Sequence, residues 1–171
     1  MRRHREQGFT LIELIVVIAI LGVLAAVALP RFIDLQVSAR QAKLNAGAGA
    51  VRAGAALFHA QCLANATTNT NGCPLNSTTF TSVAMEGLAV DGYNQYPDTT
   101  ANGAVRAAGL SAGLSATGSV DYVYSGAGSG LLRIDVPSPT LNTCYFTYSR
   151  ATVSATSVVA PAVVIVQNTC N

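Results

Sequence analysis

The sequence predicts an α+β fold. One long N-terminal helix has a projecting apolar first half, and its second half packs on an antiparallel β-sheet carrying two disulfides. Three observations predict it. An apolar run follows a short basic leader, a helical apolar stripe continues well beyond that run, and β-branched and aromatic segments separated by Gly, Asn and Ser fill the C-terminal half. The 171 residues suffice for one domain plus an extension.

The leader comes first. Arg2, Arg3 and Arg5 against Glu6 account for the chain's whole net charge of +2. The remainder is balanced, so no basic patch favours nucleic acid. A positive cluster ahead of an apolar run instead predicts a cytoplasmic N-terminus.

From Phe9 to Leu29 the only charge is Glu13. A helix of that length, at about 1.5 Å per residue, spans roughly one bilayer core. A plain membrane anchor and a cleaved secretory signal are the ordinary readings, and Ala26-Val27-Ala28 fits the small-residue cleavage pattern. Neither accounts for Glu13, because a lone carboxylate in hydrocarbon is costly and usually functional. Gly22 and Pro30 bracket the end of the run. Glycine lowers helix propensity and proline removes an i→i−4 hydrogen bond, so Val23–Leu29 is where the helix is expected to kink or melt.

Beyond Pro30 the pattern stays helical to about Leu63. Ile33, Val37, Leu44, Val51 and Phe58 form one apolar face, joined by Ala48, Ala55 and Cys62. Core packing against a sheet is the expected role. Gly47, Gly49 and Gly54 allow close approach of a neighbour.

Asn65–Thr79 reads as a loop by composition. Tyr93–Asp98 reads as a turn, and Ala101–Ser111 as a short helix. Ser119–Ser125 and Leu131–Val136 flank a Gly-rich turn and predict a hairpin, with Leu132, Ile134 and Val136 on one face. Thr143–Arg150 and Ala162–Gln167 predict a second antiparallel pair, with Cys144 facing Cys170 and Arg150 facing Val164.

Four cysteines allow three pairings. Cys62 and Cys73 bracket the loop, and Cys144 and Cys170 would staple one ladder; these two bridges are favoured over the crossed pairings. A zinc site is the rival reading, but no C-x-x-C occurs, and no metal or other cofactor is expected.

Catalysis finds no constellation. His59 is the one histidine outside the leader, and no G-x-S-x-G accompanies it. Asp91, Asp98, Asp121 and Asp135 lack calcium-loop spacing and are expected to be solvated loop and strand acids. The chain is not expected to be an enzyme. Asn65-Ala66-Thr67 and Asn76-Ser77-Thr78 match a glycosylation sequon, a short pattern that recurs by chance.

Gly8-Phe9-Thr10-Leu11-Ile12-Glu13 resembles the processing motif of type IV prepilins, and the match continues through Leu29. The resemblance implies cleavage after Gly8, N-methylation of Phe9, and a Glu13 that meets the N-terminal amine of an adjacent subunit. It implies a leader over 1–8, a membrane and filament-core helix half over 9–30, and a globular domain over 31–171. The partners implied are copies of the chain itself, a prepilin peptidase, the inner-membrane pilus assembly machinery and, before assembly, the membrane. The subunit would rest in the inner membrane and then in an extracellular bacterial pilus. "PRFIDLQVSAR", "GYNQYPDTTANG" and "CYFTYSRA" further resemble the mannose-sensitive haemagglutinin type of pilin, which implies surface attachment. A pseudopilin of a type II secretion system is the alternative within the superfamily, and a lone membrane-anchored binding domain the alternative outside it.

Overall fold

The computed structural model describes residues 8–65, 73, 81–110, 112–113, 120–139, 143–154 and 157–170. Helix α1 spans Leu11–Asn65 and continues through both Gly22 and Pro30. The chain divides into two compact units between Val37 and Ser38.

The first unit is the apolar helix. Every residue from Gly8 to Gln36 is exposed. Ile33 is among them at 56% exposure, so the inward stripe expected from Ile33 onward does not begin there. Within this unit the helix has no sheet to pack against.

In the second unit the stripe is realised. Leu44, Ala48, Val51, Ala55, Phe58 and Cys62 are buried, the 3–4 residue spacing of one helix face. Two glycines set how closely the rest approaches. A Cβ on Gly47 would lie 2.7 Å from the Tyr122 ring, whose hydroxyl donates to the Lys43 carbonyl at 2.9 Å. One on Gly54 would strike the backbone carbonyl of Ala107.

The first sheet is β1 (Thr81–Met85), β2 (Leu88–Tyr93) and β3 (Tyr96–Pro97), antiparallel in that order. Its two turns, Glu86-Gly87 and Asn94-Gln95, have positive φ at both central residues. That is the handedness which matches strand twist in two-residue hairpins. The Tyr93–Asp98 turn thus lies within this sheet, while the β1–β2 hairpin was not expected. Val83 and Val90 pack with Phe58 and Cys62. The segment expected as a helix over Ala101–Ser111 is a short helical turn at Ala101–Val105, broken at Gly103 (φ −91°, ψ −109°). Gly103 lies against the Asp98 carbonyl, where no Cβ fits. Ser111 lies outside the described residues.

The second sheet has five strands in the order β10-β7-β6-β5-β4. They are β4 (Ala112–Gly113), β5 (Tyr122–Ser125), β6 (Leu131–Asp135), β7 (Cys144–Ser149) and β10 (Val163–Asn168). A separate hairpin joins β8 (Thr152–Ser154) to β9 (Ser157–Val159). The β5–β6 hairpin forms with Leu132, Ile134 and Val136 buried; Ser119, the expected first residue of its leading strand, lies outside the described residues. Phe146 and Tyr148 fill the same core from β7.

The β7–β10 register differs from the expected one. Val164 faces Thr147, and Asn168 faces Cys144, with a shift between Ile165 and Gln167. Arg150 therefore does not face Val164, and Cys144 pairs two residues short of Cys170; the bulge at Val166 shifts the ladder by one residue between its two ends. Cys170 lies past the strand end at φ +51°, and its N–H donates to the Thr143 carbonyl at 2.9 Å. The Cys144–Cys170 disulfide therefore joins a strand start to a tail that hooks over it, with Cα atoms 4.4 Å apart. Cys62–Cys73 is the second bridge, at 5.4 Å. Most of the Asn65–Thr79 loop lies outside the described residues.

Candidate functional site

The N-terminal segment is built from its first turn. Thr10 Oγ1 accepts the Glu13 N–H at 3.3 Å, and Glu13 Oε2 accepts both the Thr10 N–H at 3.3 Å and its hydroxyl at 3.0 Å. This is a reciprocal capping box, and it satisfies two of the donors that a helix start leaves unpaired. The T-x-x-E spacing ahead of an apolar run carried this signal in the sequence. The carboxylate also lies at the positive end of the helix dipole. Among the described residues Glu13 forms no ion pair.

Beyond the cap runs a helix long and apolar enough to cross a membrane. Phe9 is 85% exposed and Leu11 75%, and a Cβ on Gly22 would meet nothing within 4 Å. A soluble monomer does not leave such a surface in water, so the segment belongs in lipid or against other apolar helices.

The second unit shows partnered acids. Asp98 is fully buried, contrary to the solvated position expected for it. Arg150 reaches it with Nε at 2.6 Å and Nη2 at 3.1 Å, and the Thr99 N–H donates to Oδ1 at 2.7 Å. The pair compensates the burial that sequence alone could not show. Asp121 pairs with Lys43 at 2.7 Å, Asp135 with Arg133, and Asp91 accepts the Thr100 hydroxyl at 2.9 Å. His59 is half-buried, stacked on Tyr96 with ring centroids 4.3 Å apart. The packing of His59 is structural. Among the described residues no group of three His, Cys, Asp or Glu side chains is placed to hold a metal ion.

Comparison with known proteins bears on the N-terminal segment. Residues 3–29 match the prokaryotic N-terminal methylation motif. The chain is 53% identical over 57 residues to the type IV narrow pilus major component PilA5 of Thermus thermophilus, covering 33% of this chain and 49% of that protein. It is 44% identical over 57 residues to the type IV major alpha-pilin of Moraxella bovis, covering 32% and 36%. Its N-terminal segment is similar to those of type IV pilins. A third pilin, the type IV major pilin protein PilA of Myxococcus xanthus, is 54% identical over 39 residues, covering 23% of this chain and 18% of that protein. The chain thus spans half or less of the length of these pilins. No solved structure is a significant match. The rest of the chain stands on its own architecture, in which a long helix packs with sheets that are antiparallel except for the short parallel β4–β5 pair, and with two disulfides.

Proposed function

We propose that the chain is the subunit of a type IV pilus. It is inserted in the inner membrane through its apolar helix, cut after Gly8, N-methylated at Phe9 and polymerised into an extracellular filament that serves surface attachment. The observation that carries this reading is the wholly exposed apolar helix beginning at a prepilin-type motif. The pilins it resembles are named for pili, which supports the pilus over the secretion pseudopilin. The finer likeness to mannose-sensitive haemagglutinin pilins rests on the segment that follows the membrane run and on the mid-chain and C-terminal segments.

In this reading the amine of Phe9 is a cation once Gly8 is removed, and Glu13 of one subunit meets the amine of another. Inside a packed helix bundle a carboxylate must pair with a cation or be neutralised. Gly22 and Pro30 loosen the helix between them as it packs. Glu13→Gln keeps a side-chain acceptor for the capping bonds and removes the charge. The expected result is normal membrane insertion with few or no sheared filaments. Wild-type filament yield from Glu13→Gln would overturn the pairing role, and persistence of filaments after deletion of the gene would overturn the subunit role.

A further inference from the structure

The charges of the second unit leave one acid over. Asp98, Asp121 and Asp135 are in ion pairs, and Asp91 is hydrogen-bonded. Glu86 is exposed at the β1–β2 turn and, among the described residues, has no partner. Three cations of this unit likewise lack a carboxylate among the described residues, and their surroundings differ. Arg40 is half-buried and donates to the Cys170 carbonyl at 3.3 Å. Arg106 donates to the Ala89 carbonyl at 2.7 Å, on the same hairpin that carries Glu86. Arg52 is exposed, donates to the Val163 carbonyl at 2.9 Å, and borders a groove of about 380 Å³ walled by Ala56, Ala60, Leu63, Tyr96 and Pro161.

We propose that the Glu86–Leu88 turn of one copy seats in the Arg52 groove of the next. Leu88 is 55% exposed and lies two residues from Glu86, so one tight turn presents an apolar side chain together with a carboxylate. The groove offers the complement, an apolar wall with a guanidinium at its edge. Leucine burial supplies the association energy, and the ion pair fixes the register. The two patches are different surfaces of the same chain. A contact between different surfaces is head-to-tail, and when its rotation does not close it generates an open helical filament. This inference rests on the filament reading above and adds a contact between globular units to it.

The test uses the full chain in cells that make pili from it. Arg52→Cys/Glu86→Cys filaments are sheared and treated with a short bismaleimide. The native cysteines are all in disulfides, so only the introduced thiols react. The expected result is a ladder of dimers and higher multimers, absent from either single variant. In parallel, Arg52→Glu and Glu86→Arg each lower filament yield by about fivefold, the worth of roughly one exposed ion pair, and the double reversal restores it. Filaments without the ladder, or a double reversal no better than the singles, overturn the contact while leaving the pilus reading intact. A wild-type chain that makes no filament at all overturns the pilus reading itself, and this contact with it.

Discussion

Replacing Asp98 by asparagine keeps the shape of a buried side chain and removes its charge. Asp98 follows β3 in the first sheet, and Arg150 follows β7 in the second, so their pair ties the two sheets together. The same seam holds the Tyr148 hydroxyl, which donates to the Pro97 carbonyl at 2.7 Å, and the Gly128 N–H, which donates to the Thr99 carbonyl at 2.9 Å. Removing one partner of a buried ion pair costs about 3–5 kcal/mol when the other charge is stranded. Arg150 is not fully stranded. Its side chain is 23% exposed, it lies 4.5 Å from the Tyr93 ring centroid, and the amide oxygen of the substituted side chain can still accept from Nε and from the Thr99 N–H. Water and these contacts take up part of the loss, which leaves about 2–3 kcal/mol. For a chain of this size that lowers Tm by roughly 4–12 °C. Thermal unfolding of the detergent-solubilised full chain, followed by near-ultraviolet circular dichroism with the disulfides intact, measures it. Arg150→Gln and the double variant complete a cycle with a coupling of at least about 1 kcal/mol. Additive single effects, or a Tm unchanged in Asp98→Asn, would refute the claim that this pair joins the sheets.

Three further outcomes follow from the second unit. Burial, and then the nearby Asp98 charge, push the Tyr148 hydroxyl far above its ordinary value of 10.0. The unfolded tyrosine therefore loses its proton first: stability is unaffected below about pH 10 and falls above it by about 1.4 kcal/mol per pH unit, and Tyr148→Phe removes that part of the slope in alkaline unfolding titrations. Cys170→Ser opens the ring closed with Cys144, a sequence separation of 26, and lowers stability by about 3–4 kcal/mol in the chain-entropy account; denaturant midpoints with and without the substitution measure it. Gly54→Ala gains roughly 1 kcal/mol of helix propensity but drives a Cβ into the Ala107 carbonyl, for a net loss of about 1–2 kcal/mol, whereas Gly49→Ala, with open space around it, is neutral or stabilising in the same melts.

Periodicity made the large elements legible. The stripe from Leu44 to Cys62 and the alternation Leu132, Ile134, Val136 were plain, because burial on one face imposes a period that the sequence must show. The β1–β2 hairpin was not, because its turn is Glu-Gly instead of Asn-Gly and its strands are short and half exposed. The β7–β10 register is offset along its whole length, by three residues where Val164 faces Thr147 and by two where Asn168 faces Cys144. The expected register takes the two cysteines as a facing pair, whereas Cys170 reaches Cys144 from beyond the strand end, so the disulfide does not mark a pair of the ladder. Asp98 failed for a different reason. Its burial is compensated by Arg150, which lies 52 positions away, and no local pattern carries a pairing of that span.

The N-terminal site shows how a residue legible in sequence can still have an unread part. The apolar run made Glu13 look misplaced, yet in the isolated chain it is satisfied by Thr10, through two acceptor bonds from neutral donors. Such a cap is worth on the order of 1 kcal/mol and is exposed to water. A cation inside a helix bundle offers the same carboxylate a much stronger, unscreened attraction. The exchange is therefore downhill only once apolar neighbours exclude water. In the proposed filament the carboxylate leaves its cap at the moment of packing and not before, so the bonds that quiet Glu13 in the free subunit also delay its intermolecular pairing until assembly.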